Sequence, residues 1–254
     1  MDFSISSYKK FIASFKYATY DFQVFAAFSQ NPHQKTIILR HDADLLPYNS
    51  LRTARIENEL GIKGSYYFRI VPESYNENII KDIADLGHEI GYHYEDLTLA
   101  NGDMDKAYES FCRNLEKLRK LYPVTTICMH GSPKSKWDSR DIWKKYDYKK
   151  LGIIAEPYFD INFDEVFYLT DTGRRWDGWK VSVRDKVPQQ EEWNRLGLVF
   201  HSTNDIINAL KSNILPDKIM ITVHPQRWHD RFIPWAKELV WQNMKNVVKR
   251  GLVQ

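Results

Sequence analysis

Apolar positions fall into two rhythms along this chain. From residue 6 to 29, Phe11, Ile12, Phe15, Ala18, Phe22, Phe25 and Phe28 recur mostly three or four apart, which predicts one or two amphipathic helices packed on the body of the protein. From residue 36 short apolar runs alternate with helical stretches. Residues 36–39, 64–69, 88–93 and 124–129 read as strands, and 50–60, 77–86 and 104–121 as helices, the first two ending at Gly61 and Gly87. The rhythm loosens after residue 130, where 140–146 reads as a helix, 152–156 and 166–170 as strands, and 174–196 as a polar, Trp-rich stretch without a period. It returns with a strand over 198–201, a helix over 204–210, a strand over 218–223 and a closing helix over 233–248. Strands alternating with helices predict a parallel sheet with helices outside, and no repeat or linker divides the pattern, so a single α/β domain is expected.

Four of the strand-like runs end in His and Asp. They are Arg40-His41-Asp42-Ala43-Asp44, His88-Glu89-Ile90-Gly91-Tyr92-His93, Cys128-Met129-His130-Gly131-Ser132-Pro133 and Ile221-Thr222-Val223-His224-Pro225. At 254 residues the chain is long enough for one barrel of parallel strands. In such a barrel all C-terminal strand ends meet on one face, so residues about 180 positions apart can share a site.

Alternation along a strand puts Asp42 and Asp44 on one face. Two neighbouring carboxylates repel unless a cation lies between them or one stays protonated, so Asp-x-Asp suits either a metal site or a loop of capping carboxylates. His93 ends a strand and offers the neutral imidazole that zinc and similar ions take, with Glu95 two residues on as a ligand or supporting partner, or as a solvated loop carboxylate. His88, at the far end of the same strand, is expected to make only a local hydrogen bond. His130 precedes a turn and suits a ligand or a structural role equally. His224 stands where Pro225 must end the last strand, either as a strand-end residue or as the acid that protonates a departing amine.

Composition narrows the reading. A formal charge of +3, with basic residues spread along the chain, gives no support to nucleic-acid binding. Aromatic residues make up 14%, enough to stack on sugar rings or to fill a core. Cys112 and Cys128 lack framework spacing and are expected to be buried thiols. No apolar stretch approaches a membrane span and residues 11–28 are broken by polar side chains, so a cytoplasmic protein without an integral membrane segment is expected.

Taken together the runs resemble the polysaccharide deacetylase family, the NodB-like carbohydrate esterases of family 4. Gly87-His88-Glu89-Ile90-Gly91-Tyr92-His93 is close to that family's second motif, Arg40-His41-Asp42-Ala43-Asp44 to its first, and Ile221-Thr222-Val223-His224 to its last. The resemblance covers about residues 35 to 226. It implies a distorted (β/α) barrel over 35–254, preceded by an N-terminal helical extension over 1–34. It further implies Asp42 as catalytic base, Asp44 and His93 as metal ligands and His224 as general acid. Two departures stand out. The family's second histidine is here Leu97, and its Arg- and Pro-containing third motif is here Met129-His130-Gly131-Ser132-Pro133, so His130 replaces either the missing ligand or the missing Arg, and the ligand role is preferred. In the stretch 168–177, Asp171 matches by position an aspartate that orients the catalytic His, and Trp176 an apolar residue against the acyl group. Arg174 and Arg175 suit an anionic group of the substrate, or are simply exposed.

The implied activity is metal-dependent hydrolysis of an N-acyl, above all N-acetyl, group on a sugar, with one divalent ion, Zn2+ or otherwise Co2+, Ni2+, Mn2+ or Fe2+, and an oxyanion held by the metal and a backbone N–H near Gly131 or Ser132. The substrate expected is an acylated sugar or a nucleotide- or lipid-linked saccharide precursor. Three rivals stay open: a hydrolase of small non-sugar amides, a carbohydrate-binding protein that has lost its metal site, and an esterase acting on O-acyl groups.

Overall fold

The computed structural model describes residues 1–132, 135–176 and 187–253, with side chains described through residue 247. Helix α1 (Ile5–Tyr17) starts where the Ser4 hydroxyl accepts the Ser7 N–H and the Ser7 hydroxyl accepts the Ser4 N–H, which satisfies two otherwise orphaned donors. It buries Tyr8, Phe11, Ile12 and Phe15. The chain then runs through β1 (Asp21–Gln23), α2 (Phe25–Gln30), β2 (Thr36–Ala43), α3 (Pro47–Glu59), β3 (Ser65–Phe68), α4 (Glu77–Asp85) and β4 (Glu89–Tyr94). After these come α5 (Asp96–Leu99), α6 (Met104–Arg119), β5 (Ile127–Met129), α7 (Pro157–Asp160), β6 (Phe167–Thr170), α8 (Gln190–Arg195), α9 (Thr203–Lys211), β7 (Lys218–Val223) and α10 (Phe232–Val253).

All strand pairs are parallel, in the order β5-β4-β3-β2-β7-β6, as the βα rhythm requires. β2 is the central strand and all eight of its residues are buried. One edge of β2 pairs with β7. The other is shared end to end, with β1 against Thr36–Ile38 and β3 against Arg40–Ala43. A flat sheet would set β5 about 14 Å from β2, three strand spacings away. Yet His130, at the exit of β5, brings Nε2 to 3.5 Å from Asp44 Oδ1, at the exit of β2. The sheet is therefore rolled into a half-barrel, and strand exits from both edges face one another.

Four expected elements differ. The helical stretch 6–29 contains a strand, β1, because Gln23 turns inward and holds the following loop through Asn31 O and the His33 N–H. Residues 152–156 make only a single bridge, Thr126 to Ala155, beside β5. Residues 198–201 are not a strand, and Phe200 is buried with its ring against that of Phe167. The turn over 139–144 is a 3-10 helix where an α-helix was expected.

Gly91 is fixed by a close approach. A Cβ there would lie 2.3 Å from the Tyr67 ring, so only glycine lets β4 run beside Tyr67 and deliver His93 to the strand exit.

Candidate active site

Strand β2 carries alternate residues to opposite faces. Arg40 and Asp42 point into the half-barrel, and His41 points out toward α3. Arg40 grips Asp42 with both arms of its guanidinium, Nε at 2.9 Å from Oδ1 and Nη2 at 2.7 Å from Oδ2. Burial disfavours charge on Asp42, but Arg40 and His93 outweigh it and hold its carboxyl well below the usual carboxylate range.

Asp44 follows at the strand exit, and two imidazoles aim at it. His93 Nε2 lies 3.4 Å and His130 Nε2 3.5 Å from Asp44 Oδ1. The other nitrogen of each ring is committed. His93 Nδ1 is 2.9 Å from the Cys128 carbonyl and His130 Nδ1 is 2.9 Å from Glu95 Oε2. A carbonyl and an ionised carboxylate only accept, so Nδ1 carries the proton in both rings and a neutral ring turns its Nε2 lone pair toward Asp44. Glu95 is ionised: burial pushes its carboxyl up, but His130 and Arg69 together bring it below its ordinary value. Arg69 Nε donates to Glu95 Oε1 at 2.8 Å and Nη1 to the Asp44 carbonyl at 3.1 Å, locking the two turns together.

Three acceptor atoms thus meet. Asp44 Oδ1 is buried with no hydrogen-bond partner, although the remainder of that carboxylate accepts from Gln226 Nε2 at 3.1 Å. The ligand atoms of Asp44, His93 and His130 lie within 4.8 Å of one another, and this one-carboxylate, two-imidazole set suits zinc and similar divalent ions. Asp42, His93 and Cys128 form a second such group, deeper in the barrel. There Arg40 already neutralises Asp42 and disfavours a further cation. The electrostatics agree with the first set: burial pulls the His93 imidazole toward neutrality, yet Asp42 and Asp44 raise it above its ordinary value, so positive charge is favoured at this point.

Across the mouth stands His224. Its Nδ1 lies 2.6 Å from Asp171 Oδ1, so Nδ1–H donates to the carboxylate and Nε2 faces inward, 3.9 Å from Asp44 Oδ2. Asp171 is fully buried and over-determined, accepting also from the His224 N–H, from Arg227 Nη1 at 2.7 Å and from Trp228 Nε1 at 2.9 Å. Burial raises the Asp171 carboxyl, but Arg227 and His224 overcome this and lower it.

The structure thus brings together Asp42, Asp44, His93, His130, His224, Asp171 and Glu95. It does not bring the three remaining candidates to them. Trp176 is buried between Phe3, Phe11 and Trp228, with Nε1–H on Thr203 Oγ1, so it is a core residue and no wall of the site. Arg174 is buried over the rings of Phe3 and Trp235, at 5.0 and 5.2 Å. Arg175 turns outward to His201 Nδ1 at 2.7 Å. Pro133 and Asp177, in the quoted runs, lie outside the described residues. Leu97 is buried with Ala107 and Ile142, so the position of the absent histidine is apolar filling.

Sequence reasoning passed over Arg40, Arg69, Glu156 and Gln226. Arg40 was visible as the residue two before Asp42, hence on its face. Glu156 gave no signal, since its strand survives only as a bridge. It is fully buried, accepts the Met129 and Tyr158 N–H groups at 3.0 and 2.6 Å, and burial pushes its carboxyl up to about 7.

No family model matches the sequence, and no curated protein matches it. Among solved structures the chain is similar to a mutant CE4 family pseudoenzyme with restored enzymatic activity, at 13% identity and a TM-score of 0.45, over 86% of this chain and 65% of that one. It is similar to a family 4 carbohydrate esterase from Bacillus anthracis at 12% identity and a TM-score of 0.41, over 85% of this chain and 77% of that one. Bacillus subtilis PdaA, a family 4 carbohydrate esterase, is similar at 12% identity and a TM-score of 0.40, over 93% and 84% of the two chains. The chain thus spans just under two thirds of the first of these proteins.

Proposed function

We propose that this chain is a divalent-metal-dependent hydrolase that removes an N-acyl group, most simply N-acetyl, from a sugar. One observation carries the reading: a buried carboxylate oxygen, Asp44 Oδ1, without a hydrogen-bond partner and faced by two imidazole Nε2 atoms whose Nδ1 atoms are both committed elsewhere. Asp44, His93 and His130 would hold the ion, zinc before cobalt, nickel, manganese or iron. When bound, such an ion supplies Lewis acidity, polarising the acyl carbonyl and acidifying water.

The side chains divide the remaining work. Asp42, ionised at neutral pH, takes a proton from the attacking water. Arg40 fixes its orientation, at the expense of basicity. A backbone N–H at Gly131 or Ser132 adds a donor to the oxyanion. As the C–N bond breaks, His224 Nε2 gives a proton to the departing nitrogen, and the negative Asp171 stabilises the imidazolium that performs the transfer. The products are a carboxylate and an amino sugar. Nucleotide- or lipid-linked sugars in the cytoplasm are the proposed substrates.

The deciding experiment measures metal per chain by elemental analysis and acid release from N-acetylated sugars by the metal-loaded full chain, with Asp42→Asn and His130→Ala alongside. About one ion per chain is expected in the parent and in Asp42→Asn, which is inactive, and none in His130→Ala. A chain that binds sugar but takes up no metal even when supplemented is a non-catalytic binding protein. Turnover of small amides with none of amino sugars makes it a different amidase. Release of acyl groups from O-acetyl but not N-acetyl sugars makes it an esterase.

A further inference from the structure

Helix α10 is apolar on its outward as well as its inward face, where Trp235 and Leu239 are half-buried. Its inward face carries Gln242 and Asn246, 2% and 6% exposed, the first donating to the second at 3.0 Å and Asn246 Nδ2 donating to the Gly173 carbonyl at 2.9 Å. Its outward face carries Ile233, Val240, Trp241, Met244 and Val247, between 52% and 70% exposed, with Phe232 at the start of the helix 69% exposed. Positions 233, 240, 244 and 247 fall on a single stripe, roughly 21 Å long at 1.5 Å per residue, with Trp241 beside it. An apolar stripe of this length facing water, on a helix anchored by polar groups, points to an occupant outside the chain.

Charge identifies the kind of occupant. Lys237 and Lys245 are exposed along one margin of the stripe, Lys245 with its ammonium 5.1 Å from the Trp241 ring centre. The helix sequence continues into Lys249 and Arg250, and its one acid, Glu238, is half-buried. Two copies of the chain packed antiparallel through this stripe would bring the lysine margins of both helices together with no exposed acid of α10 to offset them. Anionic headgroups complement the margin, and acyl chains complement the stripe. No helix among the described residues is long and apolar enough to cross a membrane, so contact with a bilayer is by lying on it.

We propose that α10 docks the protein on an anionic phospholipid surface, with Val240, Met244 and Val247 in the headgroup–acyl boundary and Lys237 and Lys245 at the phosphates. The surface stands independently of the proposed reaction. It is joined to the site mechanically, because Asn246 holds Gly173, two residues beyond the Asp171 that orients His224.

The test is flotation of the full chain with vesicles of phosphatidylcholine alone and of phosphatidylcholine with about 30% phosphatidylglycerol. The wild-type chain is expected to float with the anionic vesicles only, and to be released at about 0.5 M salt. The triple variant Val240→Ser, Met244→Ser, Val247→Ser and the double variant Lys237→Glu, Lys245→Glu are each expected to lose about tenfold or more of the partitioning, with unchanged melting curves because every altered side chain is exposed. Failure of the wild type to float, or equal flotation of the triple variant, overturns the proposal. So does a wild-type dimer in sedimentation that the triple variant dissociates while vesicles recruit neither, which makes a second copy the occupant.

Discussion

Two buried polar clusters sit back to back on strand β2, and they solve the same electrostatic problem in different ways. On the outer face Glu57 of α3 gathers donors. Tyr8 and Tyr66 direct their hydroxyls to Oε1, the latter at 2.9 Å, and His41 Nε2 lies 2.9 Å from the same oxygen. His88 nearby accepts the Gly64 N–H and donates to the Ala54 carbonyl, both at 3.0 Å, which fixes a neutral ring. Glu57, His41 and Tyr66 are fully buried, and burial raises the Glu57 carboxyl, but His41 and the hydrogen bonds from His41 and Tyr8 bring it below its ordinary value. On the inner face Asp44 Oδ1 and two imidazole Nε2 atoms converge at 3.4 and 3.5 Å, at side chains 16 to 18% exposed for His130 and Asp44. In the outer cluster the chain's own donors converge on Glu57 Oε1, while Glu57 Oε2 and His41 Nδ1 are buried without a hydrogen-bond partner. In the inner one the proposed cation would supply the positive charge that Asp44, His93 and His130 face, whereas no such three-ligand grouping is formed around Glu57 among the described residues.

Exchanging the key carboxylates tests this contrast most severely. Asp44→Asn is expected to lose metal and about a hundredfold or more of the turnover, while the metal-free protein melts close to the parent. Elemental analysis and calorimetry on the same samples read both effects. Glu57→Ala is expected to do the reverse, lowering stability by about 3–5 kcal/mol through an unpaired buried His41. Denaturant titration measures this, and metal content per folded chain stays at about one.

The next effect depends on pH. Glu156 lies between the clusters' chemistries, buried yet ionisable near neutrality, with its folded value at about 7 against 4.5 for the free side chain. A carboxyl raised on folding contributes stability that is fully present below pH 4.5 and lost as pH rises through 7. The span is on the order of 3 kcal/mol. Urea midpoints across this window should fall with pH in the parent, and Glu156→Gln should flatten that component. The smallest expected change is in Glu95→Gln, which weakens the partner of His130 Nδ1. Metal affinity should drop about 10- to 100-fold by competition titration, with the fold intact.

Much of the sheet was legible because buried parallel strands read as unbroken apolar runs and helices keep their period, as over residues 36 to 130. The polar residues at the strand exits were equally visible, since nothing in a buried run accounts for Asp42, Asp44, His93 or His224. What the sequence could not convey was direction. Arg40 looked like the tail of a strand, and only the alternation that pairs it with Asp42 shows its use. Trp176 matched by position a residue packed against the acyl group, whereas the aromatic cluster of Phe3, Phe11 and Trp228 claims it. Residues 198–201 read as a strand because Phe200 packs inward, and an apolar run records burial whether or not the backbone is in a sheet.

The alternation of β2 has a bearing on how the chain folds. His41 outward and Asp42 inward are neighbours, so a slip of one residue in strand pairing would carry His41 into the half-barrel and press Asp42 against Tyr66 and Glu57. Arg40 would leave its carboxylate at the same moment. Each mispaired form would bury at least one unmatched charge, and an all-apolar central strand would offer no such penalty. The residues that equip the strand for chemistry therefore also proofread its register during folding.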